Sequence, residues 1–176
     1  MGKSFAIEWK DCCDFAIKLI DLADRLPKVD SKKIGMMGVS RGGMMTYIAA
    51  KRSTKISAIA VVSGVSDLHK LVEYRPDMEN LFVKKIPNYS TEKDKQLNDR
   101  SAIKWAGMFS KNMPILIIHG QKDNRVVVRD AQDMAAELER VGQPHKLIIY
   151  ENDDHFLRKH IEEERQELVS WFKSKL

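Results

Sequence analysis

Cysteine is scarce: the chain has two, Cys12 and Cys13, and they are adjacent. Both fall in a helical pattern, where neighbours point in different directions, so they are not expected to bridge each other. No disulfide framework is implied, which fits a reducing compartment, and the expected location is cytoplasmic. No Cys-x-x-Cys pair or histidine cluster has metal-ligand spacing, so no metal or other cofactor is expected. No apolar run reaches membrane length, and the N-terminus lacks the apolar core of a signal peptide, so no membrane partner is expected. Aromatics make up only 7% of the chain, and the formal charge of +5 is scattered apart from short pairs such as Lys32-Lys33 and Lys84-Lys85. Without a basic stripe interleaved with aromatics, nucleic acid is not an expected partner.

What is present is an ordinary soluble mix, 43% hydrophobic and 31% charged over 176 residues. That suffices for one domain with a real core, expected to span 1–176. The most informative stretch runs Ile34-Gly35-Met36-Met37-Gly38-Val39-Ser40-Arg41-Gly42-Gly43. A short apolar run ends in Gly-x-Ser-x-Gly, and a small-residue helix pattern follows to Ala50. A strand turning sharply into a helix with serine at its apex is a nucleophile elbow. Ser40 is expected to project clear of the sheet on a strained backbone. Gly38 and Gly42 are expected where a Cβ would collide with a neighbouring strand or helix. The N–H of Arg41, at the helix start, points toward the place where an oxyanion would form.

Taken in order, residues 1–8 read as a loop entering a helix. Apolar residues at 9, 12/13, 16, 19/20, 23 and 26 give helical spacing that Pro27 stops. Lys33 to Val39 reads as a strand, Gly42 to Lys51 as a helix, and Ile56 to Ser63 as a second buried strand. Strand, helix, strand implies a right-handed crossover and a parallel sheet. Residues 65–112 are long, polar and strandless. Ser66-Asp67 can cap a short helix carrying Leu68, Leu71 and Val72, and two more short helices are expected at 77–86 and 91–100. Such an insertion is either a lid-like binding segment or a solvated helical connection. Pro114 to Gly120 is a third buried strand. A helix marked by Val128, Ala131, Met134/Ala135, Leu138 and Val141 closes at Gly142 and Pro144, and His145 to Tyr150 is the fourth strand. A last helix shows Ile161, Leu168 and Trp171/Phe172 on one face. The expected class is α/β: a mostly parallel sheet of about four strands flanked by helices.

In a parallel sheet the loops after the strands gather on one rim. Ser40 follows the first strand, Asp123 the third and His155 the fourth. Alcohol, carboxylate and imidazole therefore converge in the chain order Ser, Asp, His. Ser40 would be the nucleophile, His155 the base that takes its proton, and Asp123 the group that fixes the imidazole's tautomer. Each residue also has a plainer reading. Asp123 could cap a turn, and His155 could be a surface histidine. Asp153 and Asp154 rival Asp123 but sit beside the histidine rather than on a separate strand tip. His119 reads as structural, and His69, His145 and His160 have no strand-end partner.

Four motifs carry a resemblance: Gly38-Val39-Ser40-Arg41-Gly42-Gly43, Arg100-Ser101-Ala102, the run from Ile117 to Val126 through His119-Gly120-Gln121-Lys122-Asp123, and Asn152-Asp153-Asp154-His155-Phe156. The chain resembles the catalytic domain of the prolyl oligopeptidase family, of the α/β-hydrolase fold. The resemblance implies Ser40 as nucleophile, Asp123 as acid and His155 as base, hydrolysing small peptide or carboxylic ester substrates without a cofactor. It also implies a truncated fold. The family's domain has about eight strands, four of them before the elbow, and a second oxyanion donor on a loop in that front part. Here only the Arg41 N–H is visible. The alternative is a catalytically impaired remnant serving as an interaction or assembly module. The truncation would also leave strand 33–39 as an unguarded apolar edge. A homodimer, or another complementing chain, is expected to cover that edge, unless the chain is a fragment whose front half lies elsewhere. The substrate pocket would draw on residues 65–112 and on the missing front part, with His69, Tyr74 and Trp105 as candidates.

Overall fold

The two runs richest in aliphatic residues become the middle of the sheet. In the computed structural model, which describes residues 9–176 (side chains from Cys13 onward), these are β2 (Ile56–Val62) and β3 (Ile115–Gly120). Both are buried almost throughout, as expected of parallel strands covered on two faces. They are flanked by β1 (Ile34–Val39) and β4 (His145–Tyr150). The order in space is β1-β2-β3-β4, and each neighbouring pair is parallel. The loop expected over residues 1–8 and the side chain of Cys12 lie outside the described residues.

Helices cover both faces. On one face α1 (Trp9–Leu22), α2 (Arg41–Arg52) and α6 (Val128–Arg140) pack with a 3₁₀ segment, Ala102–Met108. Tyr47, Ile59, Trp105, Ile117, Met134 and Leu138 join in this main core. On the other face α7 (Ile161–Lys175) lays Leu168 and Trp171 against Ala60, Val62, Leu116 and Ile118. The Trp171 indole N–H donates to the Ile59 carbonyl at 3.1 Å. Two apolar stripes are narrower than their spacing implies. Leu19 and Leu26 are exposed while Cys13, Ile20 and Ala23 are buried, and Ile161 is 44% exposed. Each lies near a helix end or beyond the partner surface, where helical spacing continues but nothing packs.

The 65–112 segment is not merely a solvated connection. Its helices α3 (Leu68–Tyr74), α4 (Asp77–Lys85) and α5 (Lys93–Arg100) bury Leu68, Phe82, Ile86 and Leu97 in a satellite core. That core includes Met44 of α2 and Val126 beyond β3, so it sits at the strand tips. The cap expected of Ser66-Asp67 divides by residue. Asp67 accepts from the N–H groups of His69 and Lys70, whereas Ser66 bonds to Asp130. No helix among the described residues is long and apolar enough to cross a membrane.

Candidate active site

The turn after β1 has the strained geometry expected of an elbow. Ser40 has φ 55° and ψ −121°, a conformation costly for a residue with a Cβ. It is held from several sides. Its N–H donates to Val62 O at 2.9 Å, and its carbonyl accepts from Gly43 N at 2.9 Å. A Cβ on Gly38 would land on the Gly42 carbonyl and the Thr46 hydroxyl, and that hydroxyl donates to the same carbonyl at 2.9 Å. Gly42 itself has open space where its Cβ would be, contrary to the expectation that it marks a close approach. The close approach belongs to Gly43, whose Cβ would meet Val61 Cγ1 at 2.7 Å and Gly64 Cα at 2.9 Å. It is Gly43 that lets α2 lie against the end of β2.

The tips of β3 and β4 bring the other two residues to Ser40. His155 Nε2 lies 3.0 Å from Ser40 Oγ, and His155 Nδ1 lies 2.7 Å from Asp123 Oδ2. Because an ionised carboxylate can only accept, Nδ1 carries the proton and Nε2 faces the hydroxyl as an acceptor. This arrangement can receive the Ser40 proton on Nε2 while the carboxylate stabilises the resulting imidazolium. Gly120 permits the approach. A Cβ there would strike the carbonyls of Asp153 and Asp154, the residues just before His155.

Asp123 is buried and densely bonded. Its Oδ1 accepts from Arg125 N at 2.8 Å and Val126 N at 3.0 Å. Burial pushes its carboxyl upward. The hydrogen bonds from His119, His155 and the two backbone N–H groups outweigh this and hold it well below the usual carboxylate range. His119 is fully buried, as a structural histidine should be, but it also backs the site. Its Nε2 donates to the Val126 carbonyl at 2.8 Å and lies 3.2 Å from Asp123 Oδ2. The four-residue spacing across the β3 tip was the available signal for that contact.

The rival carboxylates are engaged elsewhere. Asp153 Oδ2 accepts from His160 Nδ1 at 2.8 Å and His160 N at 3.1 Å, and Asp154 pairs with Arg158 at 3.0 Å. His160, for which the sequence offers no strand-end partner, also stacks on Tyr150 at the end of β4, with ring centroids 4.7 Å apart. Asp130 carried no sequence signal. Buried in α6, it accepts from Ser66 N at 2.8 Å, Ser66 Oγ at 2.6 Å and Asp67 N at 3.1 Å. Burial raises its carboxyl above the ordinary value despite those bonds. Ser101 accepts from Leu68 N and donates to Leu97 O, both at 2.8 Å. Together these bonds pin the start of α3. Among the described residues no His, Cys, Asp or Glu cluster could hold a metal ion.

A cleft of about 120 Å³ opens beside Ser40. Its apolar wall is Met44, Val65, Leu68, Leu71, Met78, Phe82 and Val126, mostly from the 65–112 segment. Arg41, Arg75 and Arg125 complete it. The three sequence candidates are not among its walls. Trp105 is buried in the main core, Tyr74 is exposed, and His69 bonds to Asn98 at 2.9 Å.

Comparison with known proteins places the chain by family and by fold. The Bacillus subtilis protein "Uncharacterized peptidase YuxL" is 29% identical over 157 residues, covering 84% of this chain and 22% of that protein. "Dipeptidyl-peptidase 5" of Porphyromonas gingivalis is 27% identical over 142 residues, covering 78% of this chain and 20% of that protein. The chain thus spans about a fifth of the length of these curated relatives. A Mycobacterium tuberculosis puromycin-hydrolyzing peptidase superposes with a TM-score of 0.81 at 20% identity, covering 93% of this chain and 25% of that one, and so shares the fold. The fold is a truncated α/β-hydrolase arrangement. The family match runs over residues 7–176, from α1 through the elbow and both later strand tips to the end of α7, and the chain belongs to the prolyl oligopeptidase family.

Proposed function

We propose that the chain is a serine hydrolase that cleaves peptide or carboxylic ester bonds through an acyl-enzyme on Ser40. The observation that carries this reading is the unbroken hydrogen-bonded series from Ser40 Oγ through His155 to Asp123, at 3.0 and 2.7 Å, on a serine with φ 55°. Ser40 Oγ attacks the substrate carbonyl carbon as its proton passes to His155 Nε2. The carbonyl oxygen becomes an oxyanion, and the Arg41 N–H at the start of α2 is the donor assigned to it. The bond to the leaving amine or alcohol breaks as His155 returns the proton. Water, activated by the same imidazole, then releases the acyl group. Asp123 keeps Nδ1 protonated throughout.

The test is labelling by a fluorophosphonate, located by mass spectrometry. The expected adduct lies on Ser40 and is absent from Ser40→Ala. A label on another serine, or equal labelling of the two proteins, overturns the assignment.

A second proposal concerns β1. Among the described residues it is the sheet's edge, and Met37 and Val39 on it are each 45% exposed. We infer that another chain, most simply a second copy, covers this strand. The expected solution mass is that of a dimer. Lysine at both Met37 and Val39 should shift the mass to that of a monomer, and a wild-type monomer at high concentration refutes the pairing.

A further inference from the structure

We propose that the cleft beside Ser40 takes an acyl-side side chain ending in a carboxylate, glutamyl or aspartyl, and that Arg75 recognises it. The proposal rests on the reading of Ser40 as the nucleophile. The leaving group must lie toward His155, which returns its proton. Ser40 lines the cleft and His155 does not, so the cleft lies on the acyl side of the attacked carbonyl.

Its chemistry is uneven in a telling way. Seven of its walls are aliphatic, thioether or phenyl, and every charged wall is an arginine, with no carboxylate among them. Arg75 is the best placed of the three. It caps the end of α3, where its N–H donates to Leu71 O at 2.7 Å. The start of that helix is pinned by Asp67, Asp130 and Ser101. The Arg75 side chain is half-buried. Arg125 instead lies over the Phe156 ring, 4.8 Å from its centroid, on the exposed side.

The Arg75 guanidinium has five donors, but among the described residues it makes one ion pair, at 2.7 Å to Asp77. Asp77 is 65% exposed, and an exposed pair of this kind contributes little. An apolar side chain filling the cleft would strip water from Arg75 and return nothing to it. A carboxylate on a short methylene stem would satisfy both parts of the cleft. Its stem would rest on Leu68, Leu71 and Phe82, and its oxygens would take charge-assisted, potentially bidentate hydrogen bonds from the guanidinium.

The experiment compares labelling rates of the full chain by diphenyl phosphonates bearing a glutamate, glutamine or leucine side chain next to phosphorus. A plain fluorophosphonate serves as the reference for Ser40 itself. The glutamate probe is expected to outpace the glutamine probe by roughly ten- to a hundredfold. In Arg75→Gln that ratio should fall to near one, and Arg75→Lys should keep part of it, since lysine retains the charge but not the fork. Equal glutamate and glutamine rates in the wild type overturn the proposal, as does a preference that survives Arg75→Gln or a leucine probe that reacts fastest. If the fluorophosphonate labels Ser40 and no preference appears, only the cleft assignment falls. If it does not label Ser40, the nucleophile reading falls and takes this one with it.

Discussion

Ser40→Ala is expected to lower kcat by about 10⁴–10⁶-fold on an activated ester or a peptidyl anilide, with the fold intact. The reasoning starts at the turn. A serine hydroxyl is a poor nucleophile until a base removes its proton, and here His155 Nε2 stands 3.0 Å away. Alanine leaves the imidazole and Asp123 in place but removes the only atom that can form the acyl bond. The remaining acceleration over water would come from oxyanion stabilisation and positioning alone. Stability should change little. Alanine at φ 55° bears much the same backbone strain as serine, and the lost hydrogen bond is a partly buried one. Circular dichroism and a thermal melt would establish that the fold survives. Substrate affinity should hold, because the apolar walls and the arginines of the cleft are untouched and Ser40 loses only its hydroxyl. A loss of less than about tenfold would mean that the turnover comes from elsewhere.

The parts of this site that could be read in the sequence are those encoded by neighbours along the chain. An apolar run ending in glycine, serine and glycine announces a strand, a turn and a helix, and β1 and α2 begin and end within a residue or two of that reading. Alternating strands and helices imply a parallel sheet, and a parallel sheet sends Ser40, Asp123 and His155 to one rim. The hydrogen bonds among them link residues 115 and 32 positions apart, and chain order alone could bring them to the rim but not set the distances. What could not be read depends on which surfaces meet. Gly42 and Gly43 look equivalent in sequence, and only the positions of Val61 and Gly64 at the next strand tip decide that Gly43 is the tight one. His119 looks like core, and it is core, yet its Nε2 also reaches Asp123. Asp130 is one of many acidic residues on an amphipathic helix, until Ser66 and Asp67 arrive from 64 and 63 positions away. The cleft walls are hidden in the sequence for a similar reason. Trp105 and Tyr74 are large and conspicuous, but they lie in the core and at the surface, whereas Met44, Leu68, Leu71 and Phe82 line the cleft beside Ser40.

Asp123→Asn should cost about 10⁴-fold in kcat, by a route different from loss of the nucleophile. The carboxylate accepts from His155 Nδ1 at 2.7 Å, which leaves Nε2 unprotonated and facing Ser40. An asparagine can turn its amide N–H₂ toward Nδ1. The ring then takes the other tautomer, with its proton on Nε2, and can no longer accept from the hydroxyl. An asparagine that keeps its oxygen toward Nδ1 would still lack the charge that stabilises the imidazolium. The variant should therefore recover part of its rate as pH rises, where hydroxide substitutes for the missing base. The same carboxylate makes a prediction about stability. Its native value lies well below the ordinary one, so its ionisation stabilises the fold fully above the unfolded-state value of about 4. That contribution drains away as pH falls below this value toward the depressed native one. Asparagine has no such dependence. The gap in melting temperature between wild type and Asp123→Asn should accordingly be widest at neutral pH and should narrow between about pH 4 and pH 2. A gap that stays constant through that range, or widens in acid, would show that the hydrogen bonds at Asp123 do not favour its charged form. The catalytic role assigned to the carboxylate would lose its electrostatic basis.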